Sequence, residues 1–214
     1  MIRTLERVVP ADPGKPARPG TAATQDRSRQ IAEDPGSWTP ESAAETVMQY
    51  AELAPVWDGE RGGYRKVPLA DALARGGPLP PGPCLEVGAG TGLLTPQLQK
   101  VWPHVLSLDL SPDMLQRSRA PWRVRADAAR LPVPAGGAGA VVLGDVPLFA
   151  AEMARALRSD GVLVWSNALG ADAPHHVPVA TVLAALDRVG GPWNAVTSEA
   201  GWGLWAVFRR GNGG

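Results

Sequence analysis

The sequence predicts an α/β chain, a doubly wound and largely parallel sheet preceded by a helical cap. Three observations carry that prediction. From residue 83 onward, short apolar runs alternate with helix-like stretches across short loops, a pattern that implies a parallel sheet covered on both faces. The first run, "CLEV", passes straight into a loop with glycines at 88, 90 and 92 and then into a helical pattern. The last two runs, in "WNAVTSEAGWGLWAVFRR", meet at a glycine-containing turn with no helix between them, which predicts a hairpin.

The elements follow in chain order. Residues 1–37 mix Pro, Gly, Ala, Arg and Ser without periodicity, so they cannot offset their ordering entropy and are expected to form a flexible arm. Order begins at "WTPESAAETVMQYAEL", where Thr39 can cap, Pro40 suits the first helical position and Glu41 favours the positive helix end. "APVWDGERGGY" is expected to break that helix and to be mobile at Gly59, Gly62 and Gly63. "KVPLADALARGG" predicts a second helix ending at Gly76 and Gly77. Residues 38–77 therefore make the cap, and 78–210 the α/β domain. Within it, strands are expected at 84–87, 105–109, 122–126, 140–143 and 161–166, with helices at 91–101, 111–119, 147–158 and 178–189. Pro96 must loosen the first of these helices, whereas Ser111-Pro112-Asp113 is a good helix start.

The bulk numbers bound the reading. A chain of 214 residues and 22.4 kDa with 44% hydrophobic residues suits one domain with a substantial core. Twenty-one basic residues balance twenty-one acidic ones, which gives no global electrostatic case for nucleic acid. The single cysteine, Cys84, excludes an internal disulfide and a cysteine-based metal cluster and suits a reducing compartment. The N-terminus lacks a signal-peptide pattern, and no run reaches the ~18 apolar residues of a membrane span. A cytoplasmic protein is expected.

In a doubly wound sheet, ligands bind beyond the carboxyl ends of the strands, which is where Gly88, Gly90 and Gly92 fall. A tight turn with no ligand would use the same glycines. A pyrophosphate loop requires G-x-G-x-x-G, but here the spacing is G-x-G-x-G with Leu93 next, and the carboxylate of Glu86 would repel a phosphate. A P-loop fits less well still, since no Gly-Lys-Ser/Thr follows. Asp109 ends the second strand at the distance expected of an acid that accepts from ribose hydroxyls. Asp127, after the third strand, could accept from an exocyclic amine. Such a site reads adenosine and shows acid to the rest of its ligand, and S-adenosylmethionine (SAM), with its sulfonium and ammonium, fits.

"LEVGAGTG", "LDLSPDML", "RADAARLPVP" and "AEMARALRSDGVLVW", in this order, resemble class I SAM-dependent methyltransferases. The nearest likeness is to the small-molecule group that includes the ubiquinone/menaquinone-biosynthesis type, and it spans roughly residues 80–208. The resemblance implies a Rossmann-like, seven-stranded sheet of order 3-2-1-4-5-7-6 with strand 7 antiparallel, and SAM as cofactor with S-adenosylhomocysteine (SAH) as product. It implies that Glu86, Gly88, Ala89, Gly90 and Gly92 line the methionine part, that Asp109 holds the ribose, and that Leu110 and Met114 pack on the adenine. Asp127, with the backbone at Ala128, would meet the adenine amine, and Asp145 would face both cofactor and substrate. Met114 would serve equally as core, and Asp145 equally as a cap for the helix near Pro147.

Methyl transfer needs alignment and desolvation, and a base only where the acceptor must lose a proton. His104 starts the second strand at the wrong end of the sheet. His175 and His176 follow the fifth strand at the right end, and neighbours in an extended chain point to opposite sides. His176 is the one expected to face the pocket as a catalytic base, with Asp145 beside it. Tyr50 and Tyr64 are weaker candidates for the base, while Trp38 and Trp57 would wall the substrate side or, more simply, serve as core aromatics. The chain lacks Asn-Pro-Pro-Tyr/Phe after the fourth strand, and Cys84 is misplaced for a nucleophile. The expectation is methylation of a small molecule, without nucleic acid, membrane or metal, by a monomer or homodimer. A SAM-binding protein without transferase activity, serving as a sensor or partner subunit, is the competing reading.

Overall fold

A computed structural model describes residues 1–16, 21–61 and 63–211 of the chain. Its centre is an eight-stranded sheet of β1 (Ile2–Thr4), β2 (Cys84–Val87), β3 (Val105–Asp109), β4 (Arg123–Arg125), β5 (Ala138–Gly144), β6 (Leu157–Asn167), β7 (Trp193–Ala200) and β8 (Gly203–Arg210). The spatial order is β1-β7-β8-β6-β5-β2-β3-β4. Strand β8 runs antiparallel to both of its neighbours, and the other pairings are parallel. Counted from β2, this is the expected order 3-2-1-4-5-7-6 with the last strand reversed. The addition is β1, which pairs beside β7.

That strand corrects the expected arm. Ile2, Arg3 and Thr4 align with Ala195, Val196 and Thr197, and the chain continues along the sheet to a bridge between Val9 and Ala200. Helix α1 (Thr21–Glu33) follows, with Ser28, Ile31 and Ala32 buried. The segment's composition hid this because its ordering comes from tertiary partners: the backbone of β7, and α8 (Val179–Gly190), whose Arg188 donates to the Ala32 carbonyl. Residues 17–20 and Gly62 lie outside the described residues.

The cap begins as its residues dictate. Helix α2 (Pro40–Leu53) starts after Thr39, whose hydroxyl accepts from the Ser42 N–H at 3.3 Å. Helix α2 breaks after Leu53 as expected, into a 3-10 turn over Ala54–Val56, and the segment then turns helical again as α3 (Trp57–Arg61). Helix α4 (Lys66–Arg75) lies on the sheet, with Leu69 and Ala72 in the core beside Val207.

Both faces of the sheet are covered, so β5 is apolar almost throughout, with Val141 and Leu143 in one core and Ala140 and Val142 in the other. Pro96 has the predicted effect, since the helix expected over 91–101 shrinks to α5 (Thr95–Leu98). Ser111 caps α6 (Pro112–Arg117) through the Met114 N–H. Helix α7 (Ala150–Ala156) starts three residues after Pro147, with Phe149 at the cap. Among the described residues, no helix is long and apolar enough to cross a membrane.

Candidate cofactor and acceptor site

A cavity of about 280 Å³ opens at the carboxyl ends of β2, β3 and β5. Its floor includes Gly88, Gly90, Asp109, Asp127 and Asp145, and its roof comes from α1, α2 and Trp57. Leu110, Met114 and Ala128 complete the side nearest β4.

The glycines have separate reasons. Gly88 has φ +69°, and a Cβ there would lie 2.3 Å from Val146. Gly90 has φ +56° and faces the cavity, where a Cβ would stand 3.8 Å from both Met114 and Trp57. Gly92 does not line the cavity; its missing side chain makes room for the Ser118 hydroxyl, 2.8 Å from where a Cβ would sit. Ala89 also stays outside and donates its N–H to the Leu108 carbonyl.

Asp109 is tied to the loop it faces. Its carboxylate accepts from the Gly90 N–H at 2.7 Å and from the Ser111 N–H at 2.8 Å. Burial raises its pKa despite these donors, so hydroxyl donors on a ligand would relieve a desolvated charge. Asp127 accepts from the Ala129 N–H at 2.8 Å and from the indole N–H of Trp38 at 2.9 Å, which hangs the roof on the floor.

Asp145 has φ +56°, and its carboxylate collects three donors: Arg65 at 2.6 Å, the Ala168 N–H at 3.1 Å and Asn167 at 3.3 Å. It does not cap α7. The Arg65 guanidinium lies 4.8 Å from the Trp57 ring, and its Nε is buried without a partner. Arg65 carried no signal in the sequence, being one basic residue in a glycine-flanked loop.

The two histidines exchange the places expected of them. His175 lines the cavity, between the Ser28 hydroxyl at 2.9 Å on Nδ1 and the Tyr50 hydroxyl at 3.3 Å on Nε2. Burial lowers its pKa to about 4, so the ring is neutral near pH 7. His176 turns away; its Nδ1 meets the Asn167 side chain at 3.1 Å, and its ring lies near Trp165. The two neighbouring side chains do point apart, and Ser28 of the packed α1 meets the inward one, His175. Tyr64 stacks near Trp202 and is absent from the cavity wall, while Trp38, Tyr50 and Trp57 are on it.

Contrary to expectation, Glu86 does not face the cavity. Strand alternation sends Leu85 and Val87 toward the cavity side and Glu86 to the opposite face. There one carboxylate oxygen accepts from Thr95 at 2.5 Å and Ser107 at 2.8 Å, and the other is buried without a partner. Burial, opposed by these hydroxyls, raises its pKa to about 7. Glu86 thus ties β2 to β3 and to the start of α5, and it does not line the cavity.

Residues 85–165 match the family model described as a methyltransferase domain. A malonyl-[acyl-carrier protein] O-methyltransferase of Dechloromonas aromatica (strain RCB) is 33% identical over 143 residues, which cover 62% of this chain and 54% of that protein. The chain thus spans about half the length of that relative. In fold, the chain is similar to DhpI in its complex with SAH, at a TM-score of 0.61 and 20% identity over 80% of this chain and 98% of that one. A SAM-dependent methyltransferase of Aquifex aeolicus is similar at a TM-score of 0.58 and 16% identity, covering 74% and 96%.

Proposed function

We propose that the chain moves a methyl group from SAM to a small-molecule acceptor inside the roofed cavity. The observation that carries this is the single cavity holding Gly88, Gly90, Asp109 and Asp127 on one wall and the α1–α2 roof with His175 on another. Its volume, about 280 Å³, belongs near the small end of ligand pockets of ~300–1,000 Å³, which favours a small acceptor.

The donor set fits the cofactor residue by residue. Asp109 takes the ribose hydroxyls, with Leu110 and Met114 against the adenine and Asp127 at its amine. Gly88 and Gly90 leave the backbone bare beside the methionine chain. Arg65 and Asp145, an ion pair facing this end of the cavity, match the carboxylate and ammonium of the cofactor's amino acid group. When bound, the cofactor supplies an electrophilic methyl whose carbon–sulfur bond breaks as the acceptor's lone pair attacks. The chain's own residues align the acceptor, exclude water and receive a proton where one is released. Neutral His175, held by Ser28 and Tyr50, is placed to orient the acceptor by hydrogen bonding.

Because the Dechloromonas relative is named as an O-methyltransferase acting on a malonyl group, carboxylic acids are the first acceptors to try. Incubation with methyl-tritiated SAM and panels of carboxylic acids and phenols should move label into an organic-extractable product. Release of labelled methanol by alkali would mark a methyl ester. Tight SAM binding with no label transferred to any acceptor would favour the SAM-binding protein without transferase activity.

A further inference from the structure

Positive charge gathers where the sheet ends. Between Met114 and Ala126 the chain places Arg117, Arg119, Arg123 and Arg125 and no acid, although basic and acidic residues balance over the whole chain. All four are exposed. Among the described residues none of the four pairs with a carboxylate, in contrast to seven other arginines such as Arg65, Arg75 and Arg155, although Arg3, Arg130, Arg188, Arg209 and Arg210 also have no carboxylate partner. Among the described residues, Arg123 and Arg125 donate to carbonyls, those of Ala120 and Leu110.

The same four residues flank an open edge. Strand β4 is last in the sheet. Its inner side is spent on β3, where the Ser107 N–H donates to the Trp122 carbonyl and the Ala126 N–H to the Asp109 carbonyl. Backbone groups alternate along a strand, so those of Arg123 and Arg125 face outward, without a strand to receive them. Beside them Trp122 and Val124 are 47% and 39% exposed.

We propose that this edge docks an extended, acidic segment of a partner protein, which pairs with β4 as an added strand and neutralises its arginines. Outward N–H and C=O groups at strand spacing suit a polypeptide, and a nucleic acid cannot satisfy them in series. A second copy is disfavoured, because an antiparallel pairing about β4 would set arginine against arginine. Acidic side chains would neutralise Arg123 and Arg125 on one face, with apolar ones meeting Val124 on the other.

The test is fluorescence polarisation with a labelled peptide of alternating Glu and Val. Parallel arms use the Lys-Val peptide, an alternately N-methylated Glu-Val peptide, single-stranded oligothymidylate and phosphatidylglycerol vesicles. The Glu-Val peptide should bind, weaken with added salt, and lose about tenfold or more in affinity to the Arg119→Glu, Arg123→Glu double variant. Lys-Val and N-methylated peptides should bind at least about tenfold more weakly. Unchanged SAM affinity and melting temperature of the double variant would show that its fold is intact. Absence of peptide binding, equal binding of the N-methylated peptide, or tighter binding of oligothymidylate or vesicles would overturn the proposal.

Discussion

Arg65 and Asp145 meet at 2.6 Å on the cavity wall, both largely buried, and with Asp145 held at a positive φ. A pair so placed, with a spare buried N–H on Arg65, can open to receive a zwitterion by exchanging one ion pair for two. Replacing Arg65 by alanine should therefore weaken SAM by roughly 1.5–3 kcal/mol, the strength of hydrogen bonds to charged groups, or about 10–100-fold. Decarboxylated SAM, which lacks the group Arg65 would hold, should bind the wild type and the variant within about threefold of each other. Calorimetry with both ligands decides it, and equal losses for the two would remove Arg65 from the carboxylate.

Gly88 should resist substitution more than its backbone angle alone requires. Gly136 has a similar φ of +66° with nothing within 4 Å of a Cβ, while the Gly88 Cβ would strike Val146 at 2.3 Å. Gly136→Ala should cost only the left-handed strain of ~1–2 kcal/mol. Gly88→Ala should add an overpacking cost of ~1–3 kcal/mol and lower SAM affinity. Thermal melts of the two variants compare the effects, and equal shifts would contradict the geometry.

Glu86 and His175 pull the pH dependence of stability in opposite directions. Burial raises Glu86 from 4.5 to about 7, so the fold holds a proton that the unfolded chain has released. That contribution is full below about pH 4.5 and is lost as pH rises through about 7. Burial lowers His175 from 6.5 to about 4, so its contribution is full above pH 6.5 and is lost as pH falls through about 4. Each is worth on the order of 3 kcal/mol, and between them the slopes largely cancel. Glu86→Gln should leave a melting temperature that falls as pH drops from 6.5 to 4.5, and His175→Asn one that rises over the same interval. Parallel curves for wild type and both variants would contradict the burial of these groups.

The sheet was legible because its causes are local. Apolar runs such as "CLEV" and "VLSLD" need no partner to be recognised, and β2 and β3 fall on the predicted residues. The floor of the cavity was legible for the same reason, since Gly88, Asp109 and Asp127 sit at fixed offsets from those strands. The roof was not. Helix α1 is ordered by contacts such as Gln25 with the Ala171 and Ala173 carbonyls, more than a hundred residues away. Without α1, nothing distinguished His175 from His176 or gave Ser28 a role. Glu86 was misplaced for a different reason: its spacing beside the glycines was read, but strand alternation turns its side chain to the opposite face of the sheet, toward Thr95 and Ser107.

The most direct test of the whole account is the affinity of the wild type and Asp109→Ala for SAM, measured by calorimetry with SAH alongside and NAD as control. Asp109 accepts from the Gly90 and Ser111 N–H groups and faces the cavity. The account predicts that SAM and SAH bind the wild type and NAD does not, and that the variant loses about 2 kcal/mol or more, roughly 30-fold. Binding of NAD in place of SAM, or a variant that keeps full SAM affinity, would contradict it.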